Sequence, residues 1–129
     1  LAWLEFRRVL FRSTSSTALR DPELALRQAA GKPELAREML ELLLASLPET
    51  QTLLAQANEL PASELQAGIH KLAGGAAYCG MPSLQALCHQ LESALRRGET
   101  ADKLEPELLE LQDMLESLQR EALKWIPIG

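Results

Sequence analysis

Apolar residues, mostly leucine, that recur every three or four positions are the feature that most constrains how this chain can fold. The spacing occurs in three segments: Leu65, Ile69, Leu72 and Ala76; Leu84, Leu87, Leu91 and Leu95; and Leu108, Leu111, Leu115 and Leu118. Steps of three and four return to one face of an α-helix, so each segment predicts a helix with a buried apolar stripe. Such stripes must face one another, which indicates a packed set of helices.

Proline and glycine residues divide the chain into predicted helices. The predicted helices cover residues 22–30, 33–57, 61–79, 82–97 and about 102–125. Pro48 is expected to kink the second of these helices or to end it near Ser46, because an internal proline removes a hydrogen bond. Pro106 falls in the first turn of the last helix and is expected to delay its start.

The predicted fold class is all-α: an antiparallel, up-and-down four-helix bundle with a short additional N-terminal helix over one end. Hydrophobic residues make up 47% of the chain and aromatic residues only 4%, and the leucine- and alanine-rich remainder favours helices over strands. We expect the bundle to span residues 21–126. Residues 1–20 are arginine-rich and contain a Ser/Thr run, which predicts a linker or a non-native segment, with a surface or membrane-contacting helix as the alternative.

Charge and cysteine content exclude some classes of protein. The formal net charge of −5 argues against a nucleic-acid binder that works through a basic surface. There is no apolar run of 18 residues, so no transmembrane helix is predicted. Cys79 and Cys88 lack the spacing of a redox motif, and we expect two reduced core thiols in a cytoplasmic protein.

One histidine lies beside the apolar stripe of the third predicted helix. His70 follows the stripe residue Ile69, so its ring is expected at the edge of the buried face, pointing partly to water. Gly74 and Gly75 follow one turn later, although glycine costs roughly 1 kcal/mol relative to alanine inside a helix. Either the two glycines provide clearance so that a large group or a partner protein can reach the ring, or they serve helix packing.

The residues around His70 resemble those of the histidine-containing phosphotransfer (HPt) domain. The motif is matched by residues that follow in the order His70, Leu72, Gly74, Gly75, Ala76, Gly80, Leu84, Cys88, Leu91, Glu92, Arg96 and Gly98. The likeness is close over residues 62–98 and extends over about 21–125, where the chain looks like the HPt domain that ends hybrid sensor histidine kinases. One departure is Ala73, where the family often has a lysine.

This resemblance implies a phosphorelay intermediate. His70 would accept a phosphoryl group from a receiver-domain aspartate and pass it to the receiver aspartate of a response regulator, because a neutral imidazole has one nitrogen with a free lone pair. The chain has no Walker-type loop, no glycine-rich nucleotide fingerprint and no carboxylate cluster for magnesium. We therefore expect a phosphotransfer module without an ATP-binding kinase core, not an enzyme, with no metal or cofactor of its own.

The resemblance also implies which proteins are the partners of this domain. They are the receiver domains of the parent hybrid kinase and of a response regulator, and the receiver would supply Mg²⁺ and most of the catalysis. No nucleic acid and no membrane contact by this domain are expected. The domain would be cytoplasmic, as part of a kinase that is itself an inner-membrane sensor.

Three further side chains are candidates to support His70. Glu92 corresponds to a family position that often binds the second ring nitrogen; it could instead be an exposed partner of Arg96. Lys71 could screen the phosphoryl charge or dock on an acidic receiver pocket, or it could be a solvated lysine. Gln66 lies one turn before His70, at the rim of the expected docking face.

Two other functions remain open at this level. A helical-bundle adaptor that binds partner proteins without phosphotransfer would show the same periodicity. A metal-binding bundle would use His70, His89, Cys79 and Cys88, but it requires Glu-x-x-His pairs, and Ala67 and Ala86 stand where those glutamates belong. His89 shares a helix face with Glu92, Ser93 and Arg96 and is expected to be a surface residue.

Overall fold

The computed structural model describes residues 19–125, and these residues form five helices and no strands. The helices are α1 (Pro22–Gln28), α2 (Pro33–Ala55), α3 (Ala62–Tyr78), α4 (Pro82–Arg96) and α5 (Glu105–Trp125). The predicted all-α class is confirmed. The predictions for residues 1–18 and 126 lie outside the described residues.

The four long helices form a closed ring around one core. Helix α2 contacts α3 and α5, and α4 contacts the same two helices from the other side. Helices that follow one another in sequence are neighbours joined by short connections, which gives the up-and-down bundle. The short helix α1 packs on α2. Within residues 19–125, no helix is long and apolar enough to cross a membrane.

The apolar stripes predicted from spacing make the core. All twelve stripe residues are buried, and the most deeply buried large side chains include Leu65, Ile69, Leu91, Leu111 and Leu115. Leu19 packs against the same core, two residues before the predicted start of the bundle. Burial of a leucine side chain contributes about 1.5–3 kcal/mol, so the stripes fix which face of each helix turns inward.

One of the two predictions for Pro48, that the helix ends near Ser46, is wrong for α2. This helix continues through Pro48 to Ala55. Proline removes one backbone hydrogen bond, but buried leucines on both sides of it, Leu47 and Leu54, hold the two halves of the helix on the same core. Packing of the apolar face therefore outweighs the local helix-breaking tendency.

Helix ends differ from the predicted ones by up to three residues, and the later start of α5 is the delay expected from Pro106. Helix α5 begins at Glu105 rather than Asp102, because Pro106 occupies its first turn and residues 101–104 form a separate turn. Helix α1 ends at Gln28 rather than at residue 30. There, the N–H of Gly31 donates to the carbonyl of Leu26 at 2.8 Å, a bond that closes the helix end.

Two glycines on α3 allow α2 to approach closely. A Cβ at Gly75 would lie 2.9 Å from Leu43 Cδ1, and a Cβ at Gly68 would overlap the side chain of Leu53. Gly68 and Gly75 are seven residues apart and therefore share one face of α3. Close packing on this face fixes how α3 is turned about its axis.

Gly80 joins the turn between α3 and α4 to the start of α1. Its φ is +69°, a left-handed conformation that favours glycine, and its carbonyl accepts a hydrogen bond from the N–H of Asp21 at 2.7 Å. A Cβ at this position would lie 2.6 Å from the backbone nitrogen of Ala25. The glycine is required by both its conformation and its neighbours.

We predict that Gly80→Ala lowers the free energy of unfolding much more than Gly98→Ala. Both positions have positive φ, so each substitution costs about 1–2 kcal/mol of backbone strain. Only at Gly80 would the new Cβ also displace backbone, because a Cβ at Gly98 meets nothing within 4 Å. Urea denaturation of the two variants measures the difference. Equal losses would show that the contact with α1 contributes nothing.

Candidate functional site

His70 lies on the outer side of α3 with its ring in solvent. Its side chain is 74% exposed, whereas the stripe residues Ile69 and Leu72 on either side are buried. Burial of those neighbours fixes the helix backbone, so the ring is held at a defined place on the surface. The predicted edge position is therefore found, with more of the ring exposed than expected.

One nitrogen of this ring is held by a carboxylate from the neighbouring helix. His70 Nδ1 lies 3.0 Å from Glu92 Oε2, and Glu92 belongs to α4. An ionised carboxylate only accepts hydrogen bonds, so the hydrogen of a neutral ring is on Nδ1 in this contact. Nε2 then keeps its lone pair. The arrangement presents a nucleophilic nitrogen to solvent on a ring of fixed orientation.

One of the two predictions for Glu92, that it is an exposed glutamate, is wrong. Its side chain is 4% exposed, and it is the one buried charged residue within residues 19–125. Arg96 Nη2, one turn along α4, donates to the same oxygen at 3.1 Å. Both predicted contacts of Glu92 therefore exist together. The sequence carried a signal for its burial, because Glu92 shares a helix face with the buried residues Cys88 and Leu95.

Gly74 and Gly75 have different surroundings. A Cβ at Gly74 would meet nothing within 4 Å, so the space one turn from His70 is open, as the clearance hypothesis requires. For Gly75 that hypothesis is wrong. Gly75 faces Leu43 of α2, and its missing side chain permits helix packing rather than access to the ring. Adjacent residues on a helix point about 100° apart, which explains the difference.

The remaining candidates differ in exposure and in the side of the bundle on which they lie. Lys71 is exposed and borders a cavity of about 80 Å³ between α2 and α3. Gln66 is half-buried one turn before His70, and His89 is exposed on α4. The structure therefore brings together His70, Glu92 and Arg96, whereas Lys71 lies on the side of α3 that faces α2.

The two cysteines are core residues without a bonding partner. Cys79 and Cys88 are free and buried, as predicted. Burial raises the pKa of the Cys79 thiol to about 11, with the charge of Arg20 acting in the opposite direction. Burial, and to a lesser extent the nearby charge of Glu92, raises the pKa of Cys88 to about 12. Both thiols are therefore protonated at neutral pH. In the part of the chain that the structure describes, no three His, Cys, Asp or Glu side chains cluster as metal ligands would.

Comparison with known proteins identifies the family to which this four-helix bundle belongs. Residues 38–121 match the Hpt domain family, and the chain therefore belongs to that family. The resemblance drawn from the motif around His70 is confirmed.

The relatives of this chain include histidine kinases of signal transduction and a sensor protein. The chain is 47% identical over 106 residues to the signal transduction histidine-protein kinase BarA of Shigella flexneri, and 46% identical to BarA of Escherichia coli K12. It is 38% identical over 104 residues to the sensor protein GacS of Pseudomonas syringae pv. syringae. These matches cover 81%, 81% and 79% of the chain but only 11% of each relative.

Solved structures agree with this assignment. The crystal structure of the HPT domain of a sensor hybrid histidine kinase from Shewanella superposes with a TM-score of 0.75 at 40% identity, covering 88% of this chain and all of that one. A histidine-containing phosphotransfer protein from maize superposes with a TM-score of 0.69 at 18% identity, covering 91% and 96% of the two chains. At that identity the maize protein shows the shared fold alone.

The raised thiol pKa values predict how stability depends on pH. In the unfolded chain the thiols ionise near pH 9, whereas in the folded chain they stay protonated up to about 11 and 12. Their contribution to stability is therefore complete below pH 9 and is lost as the pH rises toward these values. Urea denaturation should give a free energy of unfolding that falls from pH 9 to pH 10.5, and the fall should be smaller in a Cys79→Ala/Cys88→Ala variant. Equal slopes for the two proteins would contradict the raised pKa values of the two thiols.

Proposed function

We propose that this domain accepts a phosphoryl group on His70 Nε2 from a receiver-domain aspartate and passes it to the receiver aspartate of a response regulator. The observation that carries the proposal is the exposed ring whose Nδ1 is bound by the buried Glu92. We further propose that the domain serves a hybrid sensor histidine kinase, as the HPT domain of the Shewanella hybrid kinase does.

In the proposed reaction the lone pair of Nε2 attacks phosphorus and forms the N–P bond. The bond between phosphorus and the aspartate oxygen of the donor breaks, and the carboxylate of that aspartate leaves with the electron pair. Delivery to the second receiver is the reverse reaction at another aspartate. Phosphoryl transfer passes through a loose transition state, so orientation and charge neutralisation supply most of the acceleration. We assign Mg²⁺ to the receiver rather than to this chain.

The chain's own part in the reaction is to present the ring. Glu92 fixes its orientation and the hydrogen on Nδ1, and the open space at Gly74 lets the partner approach. Exposed Lys71 is adjacent to His70 and carries a positive charge that suits the phosphoryl group or acidic residues of a receiver. Gln66 lies at the rim of the same surface. A mere adaptor would bind partners but would not need an oriented nucleophile.

We expect a phosphorylated receiver domain to label this protein with a phosphate that is labile in acid and stable in base, as an N–P bond is. His70→Gln should abolish labelling while changing the free energy of unfolding by no more than about 1 kcal/mol, because the ring is in solvent and the glutamine amide can still donate to Glu92. Radiolabel transfer and urea denaturation measure the two effects.

His89→Gln is the matched control for this experiment, since His89 is also exposed and lies on the adjacent helix. It should be labelled as fast as the unaltered protein. Labelling that persists in His70→Gln would contradict the assignment. A receiver that binds without transferring phosphate to either protein would instead support the adaptor.

Substitutions at Gly74 should separate stability from access. Gly74→Ala and Gly74→Leu should both raise the free energy of unfolding, by up to about 1 kcal/mol, because the position is helical and open. Gly74→Leu alone should slow phosphorylation by a receiver, since its side chain stands one turn from the ring. Phosphorylation by phosphoramidate, a small donor, should be nearly unaffected. If Gly74→Leu unfolds the domain or leaves transfer from the receiver unchanged, the glycine does not provide clearance.

A further inference from the structure

The carboxylate that holds His70 is shared with an arginine. Glu92 Oε2 contacts His70 Nδ1 at 3.0 Å and Arg96 Nη2 at 3.1 Å, while Glu92 Oε1 is buried without a hydrogen-bond partner. The side chain of Glu92 is only 4% exposed, so water does little to stabilise its charge. The guanidinium of Arg96 is therefore the permanent positive charge that balances this carboxylate.

Removal of that positive charge would leave the buried carboxylate two ways to become neutralised. Glu92 could take up a proton, and its O–H would then donate to Nδ1 and leave the ring hydrogen on Nε2. Alternatively, the ring could become an imidazolium paired with the carboxylate, and both of its nitrogens would carry hydrogen. Nε2 loses its lone pair in either case, and a nitrogen without a lone pair cannot attack phosphorus.

We infer that Arg96 is a positioning residue that keeps the Nε2 lone pair of His70 free by balancing the charge of Glu92. The inference rests on the proposed function, in which Nε2 forms the bond to phosphorus. With Arg96 in place, the carboxylate of Glu92 stays ionised and accepts the hydrogen bond from Nδ1–H of a neutral ring. The electron pair on Nε2 is then available to the donor's phosphorus.

Other charged groups do not replace Arg96 at this point. The groups that contact the Glu92 carboxylate are His70 from α3 and Arg96 from α4 itself. Cys88, one turn before Glu92, is a neutral thiol and supplies no positive charge. Arg97 is the next residue along the chain, but it pairs with Glu99 at 2.8 Å. Arg97 is consequently the matched control, an arginine at the same helix end with a different carboxylate.

The experiment records the ¹⁵N NMR shifts of the His70 ring in the full chain at neutral pH, which distinguish a protonated from an unprotonated Nε2. Arg96→Gln should convert Nε2 from unprotonated to protonated and slow labelling by phosphoramidate about tenfold or more, since loss of the correct tautomer costs up to about 10⁴-fold in a protease triad. Arg96→Lys should partly restore both the unprotonated Nε2 and the rate of labelling. Arg97→Gln should change neither of them.

A second set of variants separates charge balance from a structural role. Glu92→Gln offers a neutral acceptor to Nδ1–H, so in this background Arg96→Gln should have no further effect on the ring. This double variant also contains no unbalanced buried charge, and it tests the inference even if Arg96→Gln alone does not fold. An equal effect of Arg96→Gln in both backgrounds would overturn the inference.

Three other results would also overturn the inference. The first is an unchanged Nε2 signal in folded Arg96→Gln, and the second is an equal response in Arg97→Gln. The third is that Arg96→Gln slows labelling by a receiver but leaves labelling by phosphoramidate normal. The last result would make Arg96, whose side chain is 61% exposed, a direct contact of the receiver. Failure of the proposed function is distinguishable, because it would appear in the unaltered protein as labelling by phosphoramidate without labelling by any phosphorylated receiver.

Discussion

The rotation of α3 about its own axis is the constraint on which the rest of the site depends. Ile69 and Leu72 turn one side of this helix into the core, and Gly68 and Gly75 bring α2 against another. With those sides occupied, His70 can only point to solvent. The position of an exposed functional residue is thus determined by apolar and glycine contacts that never touch it.

Placing a carboxylate in the interface between α3 and α4 has an energetic cost. An ionised group buried in apolar surroundings is unfavourable unless it is paired, and buried ion pairs are often no more stable than apolar residues of the same size. Glu92 is buried with one oxygen shared by two partners and the other oxygen unpartnered. Stability alone does not explain such a residue, whereas a fixed acceptor beside the His70 ring does.

The sequence predicts the helices and the exposed histidine well because both depend on local spacing. Stripes such as the one through Leu84 and Leu91 specify which residues face inward, and His70 stands next to another stripe. The surroundings of Gly75, the continuation of α2 through Pro48 and the contact between Glu92 and His70 depend on which helix packs against which. Those contacts join residues distant in the chain, and periodicity within one helix carries little information about them.

The connection between α3 and α4 is only three residues long, from Cys79 to Met81, and it sets the pairing across the two helices. His70 lies eight residues before the end of α3, and Glu92 lies ten residues after the start of α4. One residue added to α4 before Glu92 would turn every later side chain by about 100° and carry the carboxylate away from the ring. A change of length within this hairpin would therefore separate the pair, whereas a change within residues 97–104, which follow both residues, would leave their pairing intact.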